Sequence, residues 1–195
     1  MSIKEDILTA LKGGRPRRVS WNIHHQLMPQ GSLEREMRER RLGIIEKSLS
    51  PYQLASSHVT TEERVVWEGD RRTSYITFRT PIGEIHGKRL VGPDGSIWVK
   101  EYPVKGPTDM AVLAYISEDA EYRPNDEAVI SRQRSLGEDG LVICRLMRSP
   151  MQRLLTEWMG MEAFTFALAD YQQATESLLA RLAASDEPEI GRAHV

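Results

Sequence analysis

The chain has almost no cysteine. Cys144 is the single one among 195 residues. One thiol supplies neither an internal disulfide framework nor a cysteine-based zinc cluster. Strong charge of either sign is also missing: 26 Lys and Arg against 28 Asp and Glu leave −2. A generic nucleic-acid binder carries a basic excess, so no nucleic-acid partner is expected. No apolar run approaches the roughly 18 residues that cross a bilayer, so no membrane partner is expected either. The first residues lack an apolar signal segment, and Glu5 and Asp6 stand where an organelle transit peptide avoids acids. A globular, cytoplasmic protein is the expectation.

What is present is 40% apolar residues, enough for a real core in one or two domains. The last seven residues, 189–195, read Glu-Ile-Gly-Arg-Ala-His-Val. In one frame they translate the start of a common sequencing adapter. They are expected to be a non-native tail after a helix ending near Ala183–Asp186, with the gene's own sequence continuing elsewhere. A tail of that kind stands outside fold reasoning, which covers residues 1–188.

Ser2 with Glu5 predicts a capping box, ahead of an apolar stripe of Ile3, Ile7, Leu8 and Leu11 that Gly13-Gly14 stops. Arg15 to Arg18 form a basic turn. Val19 to Ile23 read as a strand, a charged helix starts near Ser32, and Leu42-Ile44-Ile45 begin another strand. Residues 59–102 alternate β-rich segments with turn chemistry at Gly69-Asp70, Pro81-Ile82-Gly83 and Gly92-Pro93-Asp94-Gly95, which predicts an antiparallel meander. From Thr108 onward strands and helices alternate. Thr108 or Asp109 caps one helix and Asn125 the next. Leu141–Leu146 reads as a strand buried on both faces, and Ser149-Pro150 open a helix with Met151, Leu154, Leu155 and Trp158 on its inner side. Met147, Met151, Met159 and Met161 read as core filler, as do Phe164, Leu168, Tyr171, Leu178, Leu179 and Leu182. The alternation implies a parallel sheet with helical crossovers.

His24-His25 follow the first strand directly. Adjacent residues of extended chain point to opposite sides, so one of the two faces any given site. Three readings stand open for them: proton transfer or substrate binding, a hydrogen-bonded structural role, and metal ligation. No His-x-Glu, Glu-x-x-His or second cysteine accompanies them, so no metal site is assigned. His24 and His25 are therefore the candidate catalytic residues. Asn22 beside them, and Arg145 and Arg148 bracketing the end of the 141–146 strand, are the candidate substrate-binding residues. Arginines at a strand end are either salt-bridged or read an anionic ligand. Cys144 reads as a small core residue.

Four segments, taken in order, carry a resemblance. They are Arg18-Val19-Ser20-Trp21 after a Gly-Gly helix end, Thr77-Phe78-Arg79-Thr80-Pro81-Ile82-Gly83, Glu101-Tyr102-Pro103-Val104-Lys105 before a capped helix, and Met151–Leu182 with Glu157-Trp158-Met159-Gly160 and Ala169-Asp170-Tyr171. Together they resemble the N-terminal half of the uroporphyrinogen decarboxylase superfamily, in its divergent branch near the corrinoid-linked methyltransferases. The resemblance spans nearly all of residues 1–188. It implies an α/β fold, an incomplete (β/α)8 TIM-type barrel with the meander of 59–102 inserted; a full barrel takes about 250 residues. In such a barrel, residues just past the strands line the active-site mouth, where the family has the loop that Arg145–Pro150 replaces.

The chain also departs from the family pattern. The decarboxylases carry Arg-Gln-Ala-Gly-Arg after the first strand, with arginines for the substrate's carboxylates. Here residues 22–28 read Asn-Ile-His-His-Gln-Leu-Met, without arginine. The resemblance therefore implies corrinoid-linked methyl transfer by the full-length parent, with a small molecule or a corrinoid protein as methyl donor. Uroporphyrinogen decarboxylation is the alternative, and an inactive half-barrel without catalysis is the other. No cofactor is expected within residues 1–188. The branch's zinc would be held by a His-x-Cys pair and a distant Cys beyond residue 188. A homodimer is among the expected assemblies.

Overall fold

Ser2 and Glu5 form the expected reciprocal cap: the Ser2 hydroxyl accepts the Glu5 N–H at 3.1 Å, and the Glu5 carboxylate accepts the Ser2 N–H at 2.7 Å. The helix they start, α1, covers Ile3–Leu11. The structure is a computed structural model and describes residues 2–93 and 95–192. The chain divides into two units, residues 1–53 with 123–146, and residues 54–122 with 147–195.

The first unit is built on three short parallel strands, β1 (Asn22–His24), β2 (Gly43–Glu46) and β9 (Gly140–Val142), in the order β1–β2–β9. Helix α2 (Ser32–Glu39) connects β1 to β2, and α4 (Asp126–Leu136) leads into β9. The charged face of α2 is laced by Arg38–Glu34 at 2.9 Å and Arg40–Glu36 at 2.7 Å. Asn125 precedes α4, but its side chain donates to the Ser50 carbonyl at 3.0 Å instead of capping the helix. Register pairs Ile23 with Ile44 and Ile45 with Leu141.

The second unit carries the expected meander: β4 (Thr60–Glu68), β5 (Arg71–Thr80), β6 (Gly83–Val91) and β7 (Ile97–Glu101), all antiparallel neighbours. Ile76 and Phe78 share one face of β5, and Ile85 pairs with Phe78 from β6. That face meets α3 (Pro107–Glu118), α6 (Gly160–Asp170) and α7 (Gln172–Arg192) in one core with Leu113, Leu154, Phe164 and Leu182. Gly106 and Pro107 start α3, so neither Thr108 nor Asp109 is its cap. Between the core helices, α5 (Pro150–Arg153) runs into one π-helical turn at Leu154–Trp158. Gly160 ends that turn with φ +78°, and a Cβ there would stand 2.5 Å from the Tyr102 ring. Two further strands, β3 (Tyr52–Ser56) and β8 (Ala120–Pro124), pair as a two-stranded ladder where the chain leaves and re-enters the first unit.

The expected incomplete (β/α)8 barrel does not form. A barrel strand is hydrogen-bonded to a parallel neighbour on each side. Here three parallel strands of three or four residues make an open sheet, and the four-stranded sheet is antiparallel throughout. The apolar run 141–146 contributes only Leu141 and Val142 to a ladder, and residues 143–149 have no regular structure. Helices α6 and α7 cover the meander's core face together with α3. Apolar strands alternating with apolar helices look alike in sequence whether the helices are crossovers or lids on another sheet. Met151, Met161, Leu168 and Tyr171 are exposed, whereas Met159, Phe164, Leu178 and Leu182 are buried as expected. Residues 189–192 continue α7 past the expected helix end, and residues 193–195 of the expected tail lie outside the described residues.

Candidate functional site

Strand β2 ends in a charge. Ile44 and Glu46 lie two residues apart and share one face of the sheet. Glu46 is only 1% exposed. Burial alone would push its carboxyl up. The Ser48 hydroxyl and N–H, donating at 2.5 and 2.8 Å, outweigh that, with Arg132 and the charge of His25 adding to them. The net result holds Glu46 down at about 2, from an ordinary 4.5. Arg132, on α4, reaches the second oxygen with both Nε and Nη2 at 3.1 Å. Glu46 is therefore a fixed anion at neutral pH and has no proton to exchange there.

His25 stands one residue past β1, next to the end of β2. Its Nδ1 lies 3.1 Å from Glu46 Oε1, as an ion-pair contact and not an aligned hydrogen bond. Its side chain is 30% exposed. It opens on a cavity of about 310 Å3 between α2 and α4, lined also by Gln30, Arg38, Ile44, Arg132 and Asp139. Arg38 is held on both sides there, by Glu34 at 2.9 Å and Asp139 at 3.1 Å. Each guanidinium of this cavity already has a carboxylate. The site therefore suits a polar ligand without carboxylates of its own, next to an imidazole that can exchange a proton.

The other candidate residues are distributed as follows. His24 pairs in register with Ile45, on the face opposite Ile44 and Glu46, and its Nδ1 accepts the Gln26 N–H at 3.3 Å. Asn22 shares the face of His24, at the amino end of β1. Its side-chain oxygen lies so close to Gly43 that a Cβ there would come within 2.2 Å. Arg145 is exposed in the irregular segment after β9. Arg148 belongs to the other unit and pairs with Glu157 at 2.6 Å. The structure thus joins His25 to Glu46 and Arg132, and brings neither Asn22 nor His24 to that side. Cys144 is half-buried outside any strand, and burial pushes its thiol up. Among the described residues no three His, Cys, Asp or Glu side chains cluster as a metal ion requires.

Sequence reasoning missed Glu46, Ser48 and Arg132. One signal was present: a carboxylate closing the run Leu42-Gly43-Ile44-Ile45 is costly in a buried strand unless it is paired. Its partner on α4 is 86 positions away, and nothing local marks it. A comparison of the chain with known protein families, with curated proteins and with solved structures finds no match in any of the three.

Proposed function

We propose that the chain carries the proton-handling site of a group-transfer enzyme, with methyl transfer from a corrinoid donor, which the resemblance implies, as its reaction. The observation that carries the reading is His25 held against the fixed anion of Glu46 and opening on a polar cavity. An imidazole backed by a carboxylate is oriented as a base, and the carboxylate stabilises the imidazolium it becomes. In methyl transfer to a thiol, His25 takes the S–H proton. The sulfur lone pair forms the new S–CH3 bond, and the electrons of the broken bond to the methyl carbon stay with the corrinoid donor. The zinc that the resemblance implies would be held by residues beyond 188, and His25 is the base that this chain's own residues supply. The single unpaired thiol favours a reducing, cytoplasmic setting.

Tetrapyrrole decarboxylation is less well served. Its substrate needs unpaired cations for several carboxylates. Arg38 and Arg132 are both committed to carboxylates of the chain itself.

The test incubates the full chain with methylcobalamin and a small alkyl thiol and follows loss of the cobalt–methyl absorbance. Thiol-dependent loss in wild type, at least tenfold slower in His25→Gln with an unchanged circular dichroism spectrum, is the expected result. Loss no faster than in the protein-free control overturns the reading. So does full activity in His25→Gln.

A further inference from the structure

The amino ends of β1 and β2 gather arginine. The turn ahead of β1 carries Arg17 and Arg18, and the end of α2 ahead of β2 carries Arg40 and Arg41. Parallel pairing brings these two dipeptides side by side, since the Gly43 N–H donates to the Trp21 carbonyl at 3.0 Å. A cavity of about 260 Å3 there is lined by Asp6, Arg17, Arg18 and Arg41 alone. A smaller one of about 90 Å3 adjoins it, sharing Asp6, Arg18 and Arg41 and adding Ile3, Val19, Ser20, Trp21 and Arg40.

The charges around the larger cavity do not cancel. Asp6, only 5% exposed, accepts the Arg17 N–H at 3.2 Å and lies 4.0 Å from the Arg41 guanidinium. The guanidinium groups of Arg17 and Arg18 have no carboxylate partner among the described residues. Three cations against one anion leave two positive charges facing the space. One further observation points inward. Ser20 Oγ is buried without a hydrogen-bond partner and lines the adjoining cavity. Arg41, with φ +64°, is the left-handed residue that closes α2, where the Leu42 N–H donates to the Met37 carbonyl at 3.0 Å, and this fixes its backbone beside the cavity.

We propose that this pocket binds a phosphate dianion, either free phosphate or the phosphate group of a small phosphomonoester. Arginine forks match the geometry of phosphate oxygens, and two unbalanced charges match a dianion. Arg17 and Arg18 are the donors, Arg41 is the fixed wall and Asp6 positions it, while the Ser20 hydroxyl lies in the adjoining cavity, open to the organic part of an ester. The pocket lies at the strand ends opposite His25, so it is a separate site from the one proposed above.

The test titrates the full chain with inorganic phosphate, with a small phosphomonoester and with a short RNA. Calorimetry is run at constant ionic strength, with chloride as the control. Saturable phosphate binding is expected, with Arg18→Gln weakening it at least tenfold and Arg35→Gln, an exposed α2 residue that lines neither cavity, leaving it within twofold. Ser20→Ala should weaken the ester severalfold and leave inorganic phosphate within twofold, and the melting temperature of each variant confirms that it folds. An ester that binds tighter than phosphate assigns the adjoining cavity to its organic part, and equal affinities assign the site to phosphate itself. Equal responses to phosphate and chloride overturn the proposal. So does wild-type affinity in Arg18→Gln, or RNA bound more than tenfold tighter than either phosphate, which would make the patch a nucleic-acid surface.

Discussion

Replacing Glu46 with Gln removes the anion that four donors converge on, and the cost should depend on pH in a way that identifies its cause. The folded carboxyl titrates at about 2 and the unfolded one at about 4.5. At about 1.4 kcal/mol for each pH unit, that gap contributes about 3 kcal/mol of stability. The folded value is the lower one, so the contribution is complete above pH 4.5. It falls away as the pH drops from there toward 2, where the folded group also becomes protonated. Urea denaturation of wild type and Glu46→Gln at pH 7, 4.5, 3 and 2 measures it. At pH 7 the variant should lose about 3 kcal/mol, because Arg132 and the Ser48 donors then face a neutral amide. Between pH 4.5 and 2 the wild-type curve should fall toward the flatter curve of the variant, and the difference should shrink severalfold. Two curves that run parallel from pH 7 to 2 would refute the reasoning, since the difference would then come from packing and not from the charge.

Two more substitutions probe the second unit. Gly160→Ala should cost about 2–5 kcal/mol, from a left-handed backbone and a Cβ driven against Tyr102, and an unchanged thermal melt would contradict this. Asp186→Ala should cost about 3–5 kcal/mol, because it strands the buried Arg153 guanidinium that donates to Asp186 at 2.5 Å. The double change Arg153→Met with Asp186→Leu should lose far less, and a double variant as unstable as the single one would show that the charge is not the cause.

Local signals translated well into local structure. The Ser2–Glu5 cap, the turns at Gly69 and Gly83, and the break at Gly160 each rest on a few neighbouring residues, and each lies where the sequence places it. The failures share one cause. Which sheet a strand joins depends on partners far along the chain, so Leu141–Leu146 read as a long buried strand although only Gly140–Val142 pairs. Periodicity marked Met159 and Phe164 correctly, yet gave the same weight to Met161 and Leu168, whose side of α6 is exposed. At the site, alternation along extended chain already separated His24 from His25. Choosing between them required the position of Glu46 and of Arg132 on a helix 86 positions away.

The first unit is made of two pieces, and this bears on the order of its assembly. Its third strand cannot meet the second until everything from residue 54 to residue 122 has been synthesised. Closing a flexible loop of roughly 95 residues between β2 and β9 costs about 2 kcal/mol more than closing one of about 10 residues, by the logarithmic dependence on length. An insert that folds first and joins its own ends through β3 and β8 removes most of that entropy. The meander unit would then act as a clasp, and damage to its core would slow assembly of the His25 site without touching any residue of it.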